Sequence, residues 1–296
     1  MHLLLVHDPS VGSLEDFERL ARLVRDHDRR IRTLVVQDRR YRGRKLLFAL
    51  RRTLVFSPIP LSRFRPLRGT VFQGRHLGKS GEYRALEQSG IAVPRWRHGL
   101  PDPLEGFGPY VVIKPNRGRR GHGVKIMRRA RASHREKPDT IAQEFIYTGP
   151  FPISYRVTTF FGRILWAVRF EASHDRTPLP NGEAFGRLAG HRGVSIVATA
   201  RGCRLAFCDD PEIIALGERA HAAFPKIPLL GVDIVKEQET GKLYVIEVNA
   251  QGWVWHFSSP VGLELQRTMG ARFEDQFDGI RKAAAILAEK TRACAR

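Results

Sequence analysis

Two stretches of this chain carry residue types whose spacing could support chemistry. The first is Tyr110 to Met127, YVVIKPNRGRRGHGVKIM, in which a hydrophobic run ends in Lys114, a loop holds Gly118, Gly121 and Gly123, and a second hydrophobic run follows. Glycines let backbone N–H groups approach an anion closely, and Lys114, Arg117, Arg119 and Arg120 crowd the same loop, so the stretch reads as a phosphate cradle. A basic hairpin tip without a ligand is the plainer reading. The second stretch is Gly231 to Phe257, GVDIVKEQETGKLYVIEVNAQGWVWHF. With a period of two, Leu243, Val245, Glu247 and Asn249 share one face of a strand, and folding the preceding strand back brings Asp233 opposite them. Two carboxylates and an amide oxygen are the hard ligands that Mg²⁺ prefers. The alternative is a solvated acidic face, but Glu247 and Asn249 stand inside the hydrophobic run LYVIEVNA, where an unpaired carboxylate is costly to bury.

Three other glycine signatures are excluded by spacing. Gly118, Gly121 and Gly123 form G-x-x-G-x-G, the reverse of the dinucleotide fingerprint, and no helix follows to face a pyrophosphate. In a protein-kinase loop the lysine lies downstream, whereas Lys114 precedes the glycines. Gly74 to Ser80, GRHLGKS, has three residues between its glycines where a P-loop needs four.

The elements that must position these residues follow from periodicity. Tyr110–Ile113 and Val124–Met127 read as the two strands of a hairpin. Leu3–Val6 is a buried strand, a helix starts at Ser13 with Phe17, Leu20, Leu23 and Val24 at helical spacing, and Ile31–Gln37 is a second strand; this β-α-β opening predicts a parallel sheet. Thr53–Ser57 and Thr70–Gln73 are further strands, with an arginine-dense, proline-broken segment over 39–68. A helix over Ser80–Ser89, capped by Gly90, carries Tyr83 and Leu86 on one side. Strands are expected over Ile141–Ile146, Tyr155–Phe161 and Ile164–Phe170, the last two joined at Gly162–Arg163. Residues 172–192 read as a long polar loop. Pro211–Ala223 reads as a helix, and a closing helix runs from Phe273 to Thr291 with Phe277, Ile280, Ala284 and Leu287 as its stripe.

Composition narrows the partners. An apolar fraction of 42% across 296 residues suits a cored globular protein of two or three units. The formal charge of +20 comes from 40 arginines against 10 lysines, and residues 1–75 hold 17 basic against 7 acidic residues. Such a field attracts polyanions, whether nucleic acid, an anionic surface or a charged small substrate; a GC-rich coding background gives the same bias without a partner. Three cysteines with no C-x-x-C pair indicate neither a disulfide framework nor a zinc site. MHLLLVHDPS reads as a first strand rather than a signal peptide, and no apolar run reaches membrane-spanning length, so the expected compartment is the cytoplasm and no membrane partner is expected.

Taken in order, these motifs resemble the ATP-grasp superfamily, typically carboxylate–amine ligases such as D-alanine:D-alanine ligase and the ligase that adds glutamates to a ribosomal protein. The resemblance covers roughly residues 76–260. Lys79, before the G-I-x-V-P element at Gly90–Pro94, matches the first phosphate-binding lysine, and Lys114 in V-V-I-K-P matches the second. Gly118, Gly121, His122 and Gly123 match the mobile loop over the triphosphate. Gln143, Glu144, Phe145 and Ile146 look like the hinge strand, with Glu144 and the backbone through Ile146 facing adenine. Asp233, Glu247 and Asn249 match the ligands of Mg²⁺, expected as two ions.

The fold so implied is α/β (α+β): a Rossmann-like pre-ATP-grasp unit over 1–75, then two α+β subdomains clasping ATP, 76–140 with the glycine loop and 141–296 with the metal site. The implied reaction activates a carboxylate, of a small molecule or peptide, as an acyl phosphate for attack by an amine. Arg156 and Arg169 are candidates for gripping the carboxylate or stabilising that intermediate. An anionic acceptor suits the arginine excess. Two other readings use the same residues: a kinase phosphorylating a polyphosphate-like acceptor, and a nucleic-acid-binding module on a nucleotide-binding scaffold. Oligomeric state is left open. The chain departs from the family at Ser154, often acidic in relatives, and at Gly231, where dipeptide ligases carry an arginine. After Asn249, where many relatives have Pro-Gly, this chain has Gln251-Gly252-Trp253-Val254-Trp255-His256, of which Trp253 is assigned to the core and His256 to the substrate pocket.

Overall fold

The computed structural model describes residues 1–9, 11–37, 52–61, 69–75, 77–99, 104–118, 123–132, 139–173, 203–250 and 254–294. Within them, thirteen strands and six α-helices build three sheets. The first joins β1 (His2–His7), β2 (Arg32–Gln37), β3 (Thr53–Ser57) and β4 (Gly69–Gln73) in the order β2-β1-β3-β4, with every pair parallel. Helix α1 (Leu14–His27) makes the crossover from β1 to β2. Its entry is fixed by Ser13, whose hydroxyl accepts from the Asp16 N–H, and it buries Phe17, Leu20, Ala21 and Val24.

The second sheet is antiparallel: β5 (Trp96–His98), β6 (Tyr110–Pro115), β7 (Lys125–Arg128) and β8 (Thr140–Glu144), ordered β5-β8-β6-β7. The expected hairpin forms, with Tyr110 opposite Arg128 and Ile113 opposite Lys125. Its tip, including Arg119, Arg120, Gly121 and His122, lies outside the described residues. Helix α2 (Lys79–Gln88) precedes this sheet and ends at Gly90, whose φ of +71° only glycine adopts freely.

The third sheet joins β9 (Ile153–Phe160), β10 (Arg163–Ala172), β11 (Cys203–Phe207), β12 (Leu229–Lys236) and β13 (Leu243–Asn249) in the order β11-β10-β9-β12-β13, all antiparallel. Phe161 and Gly162, at φ 47° and 83°, turn β9 into β10, a mirror-image turn whose twist matches the strands. Helix α3 (Pro211–His221) covers one face of this sheet; α4 (Pro260–Met269), α5 (Phe273–Phe277) and α6 (Gly279–Cys294) follow β13.

The structure differs from the sequence expectations at four points. The boundary at 140/141 falls inside β8, which is hydrogen-bonded to β6 and β5, so the second sheet extends to Glu144. The closing helix is two helices, because Asp278 adopts a left-handed φ of 49° between them. The C-terminal helix serves the first sheet as well as the third: Ile280, Ala284 and Leu287 share one core with Leu3, Leu5, Phe17 and Leu20 of the first unit and with Trp166 and Val168 of β10. Covering the bare face of a parallel sheet requires a helix, and the chain supplies it from the far end of the sequence. Strand β11 has no counterpart in the expectations. The expected loop over 172–192 and most of the segment 39–68 lie outside the described residues. Among the described residues, no helix is long and apolar enough to cross a membrane.

Two histidines are buried neutral. His221 of α3 is 3% exposed, with its ring nitrogens against Thr159 Oγ1 at 2.7 Å and the Ile227 carbonyl at 2.8 Å, and burial lowers its pKa to about 4. His256 is equally buried, and burial together with the nearby Arg156 charge lowers it to about 3. Both values fall below the ordinary 6.5, so the unfolded chain binds protons first, and stability is complete above 6.5 and lost as pH falls. At pH 5 each histidine is expected to cost about 2 kcal/mol. Chemical denaturation at pH 7 and pH 5 measures this, and His256→Gln should roughly halve the loss.

Candidate active site

The site forms where α2, β6 and the β13 edge of the third sheet meet. Helix α2 begins at Gly78, which offers no capping side chain. Asn116 supplies the cap from the hairpin: its Oδ1 accepts from the Ser80 N–H at 2.9 Å and its carbonyl from the Lys79 N–H at 3.0 Å. A Cβ at position 78 would stand 3.1 Å from Asn116 Oδ1, so the glycine leaves room for that cap. Asn116 Nδ2 in turn donates to Asp139 Oδ1 at 2.9 Å. The helix bearing Lys79 is thereby clamped to the strand bearing Lys114.

Both lysines are buried and point at β13. Lys79 Nζ donates to Glu247 Oε1 at 2.8 Å, whereas Lys114 Nζ donates to the Tyr83 hydroxyl at 2.5 Å and the Ile246 carbonyl at 3.0 Å. That carbonyl is available because β13 carries a bulge: Asp233 pairs with Glu247 but Ile234 with Val245, which leaves Ile246 as the extra residue. The bulge also corrects the period-two expectation. Val245, opposite Ile234, packs with Val157 and Val232 beneath α3, whereas Glu247, opposite Asp233, faces the other way. Leu243 and Val245 therefore do not share a face with Glu247 and Asn249.

Asp233, 2% exposed, is held by Arg156 through two hydrogen bonds, Nε to Oδ1 at 2.7 Å and a terminal guanidinium nitrogen to Oδ2 at 2.8 Å; Asn249 Nδ2 adds a third at 3.1 Å. Gly231 admits no side chain, since its Cβ would stand 2.7 Å from Val254 Cγ1. The guanidinium beside Asp233 comes instead from the neighbouring strand. Arg169 does not join it. Arg169 pairs with Tyr155 and Arg156 with Val168, so the two arginines project from opposite faces of the sheet, and Arg169 lies 3.2 Å from Glu171 instead.

Sequence reasoning passed over three residues. Glu82 and Tyr83 stand three and four positions after Lys79, which puts them on its face of α2; that spacing was the available signal. Glu82 is 5% exposed, its Oε2 has no partner among the described residues, and burial raises its carboxyl pKa to about 8. Asn116, the third, shows no sequence signal beyond its closeness to Lys114. The cluster thus sets Lys79, Lys114 and Arg156 against Glu82, Asp233 and Glu247. Burial pushes Glu247 up, but the charges of Lys79 and Lys114 outweigh it and hold the group below its ordinary value. Burial lowers Lys114 to about 8 despite the Glu247 charge.

The expected hinge segment is a β-strand only at its start. Gln143 accepts from the Tyr83 hydroxyl at 2.6 Å, and Glu144 is paired with Arg95 at 3.1 Å; Phe145 and Ile146 continue outside β8, with the Phe145 ring edge-on to Tyr110. Gly118 precedes the undescribed tip, and Gly123 follows it at φ 76°. His256 does not line an open pocket: its ring sits 5.7 Å from Trp166 with Nδ1 2.9 Å from Ser259 Oγ. Trp255 is fully buried and donates to Asp16, while Trp253 lies outside the described residues.

Solved structures similar along their whole length include D-cycloserine synthetase DcsG, 17% identical over 98% of this chain and 100% of that one, with a TM-score of 0.58. The ATP-grasp ligase PsnB complexed with a phosphomimetic variant of minimal precursor, Mg and ADP is 13% identical over 99% and 98%, at 0.56. This chain has the ATP-grasp fold. D-alanine–D-alanine ligase from Bacillus anthracis complexed with ATP is also similar, 13% identical over 98% of each chain, at 0.50. No family model matches the sequence, and no curated protein matches it.

Within this ATP-grasp fold, the donor set fits a hard cation. No three His, Cys, Asp or Glu side chains among the described residues group as a metal site. Asp233 and Glu247 nevertheless face one another across β12 and β13 with Asn249 beside them, and their side chains carry the hard oxygens that suit such an ion, although here Arg156 and Asn249 Nδ2 donate to Asp233 and Lys79 to Glu247.

Proposed function

We propose that the chain is an ATP- and Mg²⁺-dependent ligase that activates a carboxylate as an acyl phosphate and joins it to an amine or a related nucleophile. The observation that carries this reading is the convergence of Lys79 and Lys114, from different elements, on the face of β13 beside Asp233 and Glu247. Two ammonium groups suit phosphate oxygens, and the adjoining hard oxygens suit the cation that accompanies them. Among the structural neighbours, PsnB was solved with Mg and ADP and the Bacillus anthracis ligase with ATP, which favours the same assignment here.

Asp233, Glu247 and Asn249 would hold the metal, which when bound neutralises phosphate charge. Phosphoryl transfer needs positioning and charge compensation more than covalent chemistry from the protein. Lys79 and Lys114 would bind the phosphates, and the segment from Gln143 to Ile146 would face the adenine. A carboxylate oxygen of the substrate attacks the γ-phosphorus as the bond to the bridging oxygen of ADP breaks. The amine then attacks the acyl carbon, and phosphate leaves. Arg156 neutralises Asp233 and keeps that carboxylate in place.

ADP release from purified protein tests the reading. Release that requires an acid and an amine together supports it; a stable phosphorylated product without an amide identifies a kinase, and no release across a broad panel overturns both. Lys114 adds a pH signature. Its depressed pKa means that the ammonium is lost as pH rises through about 8, so ATP affinity is expected to fall above that pH in the wild type. Lys114→Arg, whose guanidinium stays charged, should flatten the dependence when titrations are compared between pH 7 and pH 9.5.

A further inference from the structure

The Tyr83 hydroxyl belongs to none of the roles above, yet it sits where four elements meet. The residue is fully buried on α2, one turn after Lys79. Its hydroxyl accepts from Lys114 Nζ of β6 at 2.5 Å and lies 2.6 Å from both Gln143 Oε1 of β8 and the Ile246 carbonyl of β13. A phenol has one proton, so it donates to one of these two acceptors while its oxygen holds Lys114. The Lys114 ammonium also stands 5.0 Å over the Tyr83 ring, and that ring packs against Trp96 at 5.3 Å.

The two lysines are held differently. Lys79 is ion-paired to Glu247, whereas Lys114 is fixed by two neutral oxygens, so its positive charge is not matched by a direct carboxylate contact among the described residues. Of its three N–H bonds, two are directed by Tyr83 and Ile246, and the third is left for a ligand oxygen. Holding a flexible four-carbon side chain in one rotamer before a ligand arrives removes an ordering cost from binding.

We infer that Tyr83 is a positioning residue for nucleotide binding. Its hydroxyl fixes the Lys114 ammonium and ties it to Gln143 at the start of the adenine-side segment, so that the phosphate and base ends of the nucleotide are read against one rigid frame. This rests on the ATP site proposed above. Tyr83→Phe keeps the ring, its packing and the ring face under Lys114, and removes only the oxygen.

The test is a double-mutant cycle read by calorimetric titration with MgATP on wild type, Tyr83→Phe, Lys114→Met and the double variant, with melting temperatures as the fold control. Tyr83→Phe is expected to weaken ATP about tenfold and Lys114→Met more. The double variant should be no weaker than Lys114→Met alone, because the hydroxyl acts only through the lysine. Additive losses would mark Tyr83 as a mere packing residue, and unchanged affinity in Tyr83→Phe would show that the hydroxyl does not position the lysine; either result overturns the inference alone. A wild-type protein that does not bind ATP overturns the nucleotide site and this inference with it.

Discussion

Glu247→Gln is expected to lower nucleotide turnover by two to three orders of magnitude, a loss typical of removing one preorganised charge from a transition-state environment, while leaving the fold intact. The amide keeps an oxygen for Lys79 Nζ, now 2.8 Å from Glu247 Oε1, so the buried ammonium retains a hydrogen-bond acceptor. What disappears is one of the two carboxylates that face each other across β12 and β13. A second readout needs no substrate: in the wild type, ATP binding should tighten as Mg²⁺ is added, and in Glu247→Gln that dependence should largely vanish. Turnover at the wild-type level in this variant would refute the assignment of Glu247 to the metal.

Arg156→Met is expected to act on stability before it acts on chemistry. Asp233 is 2% exposed and both of its oxygens are engaged by the guanidinium, at 2.7 and 2.8 Å. Removing one partner of such a pair leaves a buried charge without compensation, which costs about 3–5 kcal/mol. For a chain of this size that corresponds to a drop of roughly 10 °C in melting temperature. Adding Asp233→Asn removes the stranded charge, so the double variant should recover most of the stability while remaining inactive. A single variant as stable as the wild type would show that the pair does not support the fold. The asymmetry between single and double variants separates this role from a direct grip on the substrate, which the second substitution could not restore.

Much of this site was legible one residue at a time. Lys114, Asp233, Glu247 and Asn249 were each visible as a charged or amide group at the end of, or inside, a hydrophobic run, where burial without a partner is costly, whereas Lys79 was picked out only by the family resemblance. The hairpin of Lys114 and the β-α-β opening followed from local periodicity, which depends on neighbours two to four residues away. Arg169 was grouped with Arg156, which it does not meet, for the converse reason. An arginine in a strand can face either way, and only the register of β9 against β10, with Arg169 opposite Tyr155 and Arg156 opposite Val168, assigns the two to different faces.

The sequence by itself determined most of the strands and the first helices, the hairpin over Tyr110 to Met127, and Lys114, Asp233, Glu247 and Asn249 as candidate site residues. Tertiary structure alone decided how they meet. The bulge at Ile246 turns Glu247 and Asn249 away from Val245 and exposes a carbonyl to Lys114, although period-two alternation put all of them on one face. Asn116 caps a helix that begins 38 positions earlier, at Gly78, and Tyr83 reaches Gln143 and Ile246 across 60 and 163 positions of sequence. Helix α6 closes the core of the first unit from the other end of the chain. Local patterning reports which face of an element is apolar. Which elements share a core, and which buried charge finds which partner, depends on contacts between distant segments, and those form only when the sheets pack.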